Sequence, residues 1–233
     1  MDLRAHINKA TKDALKHHRV IEGCCWHDGI YYLCFDNISD ETTVIAKVKE
    51  GAEKKVLGVS KVLKVGHAND CCVKDGILYI THSGDSRAIH RVDIKTLKKL
   101  SDVKASEPGG YNGITVYKDG FILRKGSYFY ITDKNFKVKK KIKQSKTFKI
   151  SQGICYNPKD NRIYRGSSIS QSKSNYVSIY KMDGTYVKNI HYNKTCELEG
   201  VMIKDNGSLV ISYYRTYKKK GKKHFEAHLK TLR

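Results

Sequence analysis

The chain has 233 residues, a formal charge of +22 from 45 Lys and Arg against 23 Asp and Glu, 39% apolar residues and only two prolines, Pro108 and Pro158. That length suits one sizeable core, and with no Gly/Ser-rich linker separating two halves a single domain is expected. No apolar run near Asp2, Arg4, His6 and Lys9 could act as a signal peptide or span a bilayer, so a cytoplasmic protein with no membrane span is expected.

Residues 1–19 form a separate N-terminal segment. Leu3, Ile7, Ala10, Ala14 and Leu15 recur at helical spacing behind Asp2 as N-cap, which predicts a short amphipathic helix; residues 3–7 could instead supply a closing strand. From residue 20 to 233 a short polar residue, nearly always followed by glycine, opens an apolar strand five times: Glu22-Gly23, Asn69-Asp70, Asn112-Gly113, Gln152-Gly153 and Glu199-Gly200. A repeat of about 40 to 45 residues with four short strands is the signature of a β-propeller, so an all-β, five-bladed β-propeller is predicted.

Within each unit the first strand runs to a tight turn. Asp28-Gly29, Asp75-Gly76 and Asp119-Gly120 are two-residue hairpin signals, and residues 158–161 and 205–207 are longer versions. Second strands follow at 30–33, 77–80, 121–123, 163–164 and 209–211, and third strands at 43–48, 88–93, 128–132, 176–180 and 224–229. Fourth strands are expected at 55–65, 97–103, 138–142 and 186–190. Blade five therefore has three strands of its own, unless the N-terminal segment closes it.

The seven cysteines are an odd set lying among apolar residues, and they read as buried thiols of a reducing compartment. In the adjacent pairs Cys24-Cys25 and Cys71-Cys72 the side chains point to opposite faces of a strand, so no spacing marks a metal site and no cofactor is called for. No phosphate-binding loop, nucleophile elbow or Asp-rich calcium loop is present.

Propeller geometry brings the five openings to one end of a central channel, together with the ends of the second strands at Asp36, His82, Arg124, Arg165, Tyr214 and Arg215. Polar residues there could simply bond to backbone N–H groups and join the blades, or they could bind a ligand. In the ligand reading Glu22, Asn69, Asn112, Gln152 and Glu199 contact base or sugar edges, with His82 and Tyr214 beside them. Arg124, Arg165 and Arg215 hold phosphate. The blade-two opening, Gly66-His67-Ala68-Asn69-Asp70, adds an imidazole and a carboxylate, so His67 and Asp70 are the catalytic candidates if the protein is an enzyme. Two facing carboxylates, with Asn and Gln carbonyls, could also hold a divalent cation in the channel or act on a glycoside.

The charge is concentrated in Lys218, Lys219, Lys220, Lys222 and Lys223, placed in the loop after the second strand of blade five, and in Lys139, Lys140, Lys141, Lys143, Lys146 and Lys149 before blade four. Both approach the face of the polar ring, with Tyr111, Tyr213, Tyr214 and Tyr217 nearby for stacking.

The 66–70 segment, followed by Leu78-Tyr79-Ile80 and by the Tyr111-Asn112-Gly113 and Glu199-Gly200 openings, resembles small propellers of the helveticin J-like family of bacteria and their phages. The match covers the repeat pattern over most of the chain. It implies the propeller fold and an association with bacteriocin-like activity, and it assigns no catalytic residue.

Three functions are therefore weighed. The first is a cytoplasmic binding protein for a small anionic ligand, such as a nucleotide or nucleotide-derived signal, in an open axial pocket. The second is a hydrolase or lyase acting there on such a ligand or on a glycan. The third is a basic protein or nucleic-acid interaction platform, which predicts a channel plugged by side chains.

Overall fold

In the computed structural model the chain folds into a five-bladed β-propeller with one short N-terminal helix, and the structure describes every residue except 38, 83, 85, 86, 108, 149 and 233. Lys149 of the basic run before blade four thus lies outside the described residues.

Blade one contains β1 (Val20–His27), β2 (Ile30–Asn37) and β3 (Thr42–Lys49), with β4 (Val56–Val59) and β5 (Leu63–Lys64) both pairing with β3. Blade two is β6 (Ala68–Lys74), β7 (Ile77–His82), β8 (Ala88–Asp93) and β9 (Val103–Lys104). Blade three is β10 (Gly113–Tyr117), β11 (Gly120–Lys125), β12 (Tyr128–Thr132) and β13 (Val138–Lys143). Blade four is β14 (Ile154–Asn157), β15 (Arg162–Ser167), β16 (Tyr176–Lys181) and β17 (Tyr186–His191). Blade five has three strands, β18 (Glu197–Ile203), β19 (Leu209–Lys219) and β20 (Lys222–Leu232).

Two hairpins depart from the sequence expectation. In blade three Tyr117 pairs with Gly120, so the turn residues are Lys118 and Asp119, with Lys118 at φ 53°. Gly120 is a strand residue there, and the position requires glycine because a Cβ would lie 2.1 Å from the Thr132 carbonyl oxygen. In blade five the lysines do not form a loop. Strands β19 and β20 stay paired out to Lys219 and Lys222, and only Lys220 and Gly221, at φ 49° and 73°, make the turn.

The N-terminal segment is a helix, α1 (Leu3–Thr11), not a strand. Asp2 caps it by accepting from the Arg4 N–H at 3.0 Å, and the same Oδ1 accepts from the Ala227 N–H at 3.1 Å. Leu3 and Ile7 enter the apolar cluster between blades one and five with Ile21, Val48 and Ala227. The helix therefore covers the edge strand of the three-stranded blade, which would otherwise expose unpaired backbone.

Four further apolar clusters lie at the other blade contacts. Strand alternation divides the adjacent cysteines between them: Cys24 faces the cluster shared with blade five and Cys25 the one shared with blade two. All seven cysteines are buried free thiols. Among the described residues no helix is long and apolar enough to cross a membrane.

Candidate functional site

The glycines of the openings sit where the inner strands converge. A Cβ on Gly153 would lie 2.7 Å from Asp70 Oδ1, one on Gly23 2.7 Å from the Ala68 carbonyl oxygen, and one on Gly200 2.1 Å from Cys24 Sγ. Asp70 stands where the other openings have glycine, and its side chain occupies the room they leave. It is fully buried; Oδ2 accepts from the backbone N–H groups of Ile114 and Ile154, both at 2.9 Å, and Oδ1 from that of Cys71 at 3.0 Å. Burial pushes its carboxyl up to about 8 against the pull of those three N–H groups and of Arg124. Asp70 thus plugs the axis and joins blades two, three and four. These bonds give Asp70 a structural role in place of the catalytic one expected; further along, the inner strands of all five blades line a cavity of about 530 Å³, with Cys25, Cys72, Thr115, Cys155 and Met202 in its wall.

Above the plug, His67 is clamped between two buried carboxylates. Its Nδ1 lies 2.6 Å from Asp36 Oδ2 and its Nε2 3.1 Å from Glu22 Oε2. Burial opposes a charge on the ring, but the hydrogen bonds and attraction of Asp36 and Glu22 outweigh it and hold His67 up to about 10. Both nitrogens are occupied, so this imidazolium is a bridge between blades and not a general base. Asp36 is fixed in turn by Thr43, whose hydroxyl donates to Oδ1 at 2.6 Å.

Behind His67 the cluster continues. Glu199 is buried and hydrogen-bonded to Glu22; burial, then the negative charges of Glu22 and Glu197, raise it well above the usual carboxylate range. Burial raises Glu22 as well, but the hydrogen bond and charge of His67 pull it back, whereas Glu199 has no such counter-charge and is the member of the pair that takes up a proton more readily. The Tyr214 hydroxyl donates to Glu197 Oε2 at 2.5 Å, and the Ser170 hydroxyl donates to the same oxygen. Among the described residues no group of three or more His, Cys, Asp or Glu is placed to hold a metal ion.

The arginines expected to hold phosphate are placed differently. Arg165 is 1% exposed and donates to Ser151 Oγ, Gln144 Oε1, the Tyr180 hydroxyl and the Phe148 carbonyl. Arg124 donates to Asn112 Oδ1 at 2.6 Å and to the Gly126 carbonyl, while its buried Nε has no partner. Burial, then the charge of Arg165, lowers Arg124 far below its ordinary value. Arg215 lies out on the β19–β20 hairpin, paired with Glu226 at 2.5 Å. His82 packs over Gly66 and Gly84 and accepts from the Gly84 N–H at 3.2 Å, its ring 6.0 Å from that of His90. Asn69 and Gln152 are nearly buried in the ring of openings.

A groove of about 480 Å³ opens on this face between blades one and five. Asp36 and Tyr214 connect it to the acidic cluster, and His17, Arg19, Gln171, Lys223 and Phe225 line its outer part. The Arg19 guanidinium lies 5.9 Å and Lys223 Nζ 5.0 Å from the centre of the Phe225 ring. Gln171 holds a left-handed backbone at φ 50°; its Oε1 accepts from the Thr216 N–H at 2.9 Å, and its buried Nε2 donor has no partner. Of these outer residues only Lys223, part of the basic run of blade five, stood out in the sequence. The available signal was the stretch 168–175 joining β15 to β16, eight residues long and rich in Ser, where the equivalent connection in blade three has two.

No protein-family model and no curated protein matches the chain. Among solved structures it is similar to Kuenenia stuttgartiensis hydrazine synthase, at 15% identity and a TM-score of 0.51, over 85% of this chain and 56% of that one. The chain thus spans little more than half of that relative. It is also similar to a streptogramin B lyase, at 13% identity and a TM-score of 0.50, over 90% of this chain and 69% of the other. Likeness at these identities shows the propeller fold alone.

Proposed function

We propose that the protein binds a small anionic ligand, a nucleotide or nucleotide-derived signal being the first candidate, in the groove between blades one and five. The observation that carries this reading is Gln171, a residue of the groove beside Arg19, Lys223 and the Phe225 ring, whose buried Nε2 donor has no partner. An unsatisfied buried donor costs roughly 1–3 kcal/mol, which a ligand acceptor recovers. Arg19 and Lys223 supply charge for a phosphate, and Phe225 offers a face for a flat ring. The volume of about 480 Å³ lies within the usual range of small-molecule sites. Seven free thiols suit a reducing compartment, so action in the cytoplasm belongs to the same proposal.

The test is a thermal-shift and calorimetric screen of mononucleotides, cyclic nucleotides and dinucleotides. A true ligand at about a hundredfold its Kd adds about 2.7 kcal/mol, a rise of roughly 5–10 °C in Tm for a domain of this size. Arg19→Ala and Gln171→Ala should each weaken it about tenfold or more. A full panel without a shift sinks the proposal.

A second reading, a hydrolase or lyase, is favoured by the Glu22–Glu199 pair, two hydrogen-bonded buried carboxyls both raised by burial, with His67 pulling only Glu22 back down. It requires that the bound ligand be consumed, and that Glu199→Gln stop turnover while leaving binding intact.

A further inference from the structure

Strands β19 and β20 are 11 residues each, whereas β15 and β16 of blade four have six, so their hairpin projects beyond the blade. Its tip places like charges face to face: Lys218 is paired with Lys223 and Lys219 with Lys222, with Lys220 in the turn between them. Direct opposition of like charges across an antiparallel pair is destabilising. Among the described residues no ion pair involves any of these five lysines. The nearby acids are already engaged, Glu226 by Arg215 and His228, and Asp2 by the backbone of Arg4 and Ala227.

A second observation comes from the other side of the hairpin. A cleft of about 710 Å³ runs between it and the N-terminal segment, lined by Arg4, Lys16, Arg19, Lys222 and Lys223, cations contributed by separate stretches of chain. Aromatic rings accompany them. Tyr217 and His224 stack with centroids 5.3 Å apart at 15°, Tyr217 is 42% exposed, and Phe225 lies beneath Lys223.

We propose that this hairpin and cleft are a binding arm for single-stranded nucleic acid. Lysines at the tip and in the cleft neutralise successive phosphates, and Tyr217, His224 and Phe225 offer faces to unstacked bases. A lipid surface fits less well, because the tip carries only lysines and Gly221 and no apolar side chain to enter a bilayer. The cleft shares Arg19, Lys223 and Phe225 with the small-ligand groove, whereas Lys218, Lys219, Lys220 and Lys222 do not line that groove and distinguish the arm from it.

The experiment is fluorescence anisotropy of the 233-residue chain with a labelled single-stranded oligonucleotide of about 20 residues over a salt series. A fourfold variant, Lys218→Gln, Lys219→Gln, Lys220→Gln and Lys222→Gln, is compared with a control that removes the same charge elsewhere, Lys140→Gln, Lys141→Gln, Lys143→Gln and Lys188→Gln. Removing four phosphate contacts should flatten the log–log salt slope by about 3 and weaken binding at least about tenfold at moderate salt, with the control within about twofold of wild type. Tyr217→Ala should weaken binding several-fold without changing the slope, and Gln171→Ala should leave it unchanged. Equal losses in the two fourfold variants would mean that net charge alone attracts the strand, and would overturn the proposal. So would inorganic polyphosphate competing as well as the oligonucleotide at equal phosphate concentration, because the rings would then contribute nothing.

Discussion

The carboxylate of Asp70 accepts a hydrogen bond at 2.9 Å from the backbone N–H of Ile154, 84 residues further along the chain. With the bonds from Ile114 and Cys71 it satisfies three buried donors at the point where the blades meet. Each donor left unsatisfied costs roughly 1–3 kcal/mol, so with three donors Asp70→Ala should lose about 3–9 kcal/mol. Asp70→Asn retains one acceptor oxygen and should lose less than half of that. Urea denaturation measures both, and a loss below about 1 kcal/mol in the alanine variant would contradict the role of Asp70 as a plug.

His67 ties stability to pH. Its folded value is raised to about 10 by Asp36 and Glu22, so the folded state holds a proton that the unfolded chain releases near 6.5. The stabilisation is complete below that unfolded value and is lost as pH rises through the folded one. Thermal melts should therefore show Tm falling from about pH 7 to pH 10. The side chain is 34% exposed, so solvent screening reduces the size of the effect. His67→Gln should lower Tm at neutral pH and flatten the decline; an unchanged slope would refute the clamp.

Glu199 and Glu22 differ in role although both openings read Glu-Gly. Burial and the charges of Glu22 and Glu197 raise Glu199 well above the usual carboxylate range, so Glu199→Gln, a neutral side chain that can donate toward Glu22, removes a group whose raised value costs stability as pH climbs above the unfolded carboxylate range. It should change stability at pH 7 by less than about 1 kcal/mol or increase it. Glu22→Gln removes one of the counter-charges of His67 and should cost roughly 1–3 kcal/mol at the same pH. Equal effects from the two substitutions would show that Glu199 does not take up a proton more readily than Glu22.

The blade repeat was legible because each unit obeys local rules, an opening pair, a tight turn and alternating strands, that need no knowledge of the partner blade. The position of Asn69-Asp70 was legible in the same way, but its role was not. Whether a carboxylate catalyses or plugs depends on which N–H groups converge on it, and those belong to Ile114 and Ile154 in other blades. Arg165 was misread for the same reason, since its acceptors on Gln144, Ser151 and Phe148 lie in a connection whose path the sequence does not reveal. Arg19 and Gln171 escaped notice because the groove arises only where blade one closes on blade five. Composition announced the lysines, but their opposition across β19 and β20 follows from register.

Arg165 separates a structural cation from a ligand-binding one. Its planar fork reaches Ser151, Gln144, Tyr180 and Phe148 at once, a set that the single ammonium of lysine cannot match. Arg165→Lys keeps the charge, but its three N–H groups radiate from one atom and leave at least one of the four acceptors without a donor, so it should cost roughly 1–3 kcal/mol in urea denaturation. Any ligand of the groove should bind the folded variant within about twofold of wild type, because Arg165 does not line it. Retained stability with lost binding would instead return Arg165 to the ligand site, and would require its buried guanidinium to leave these four partners.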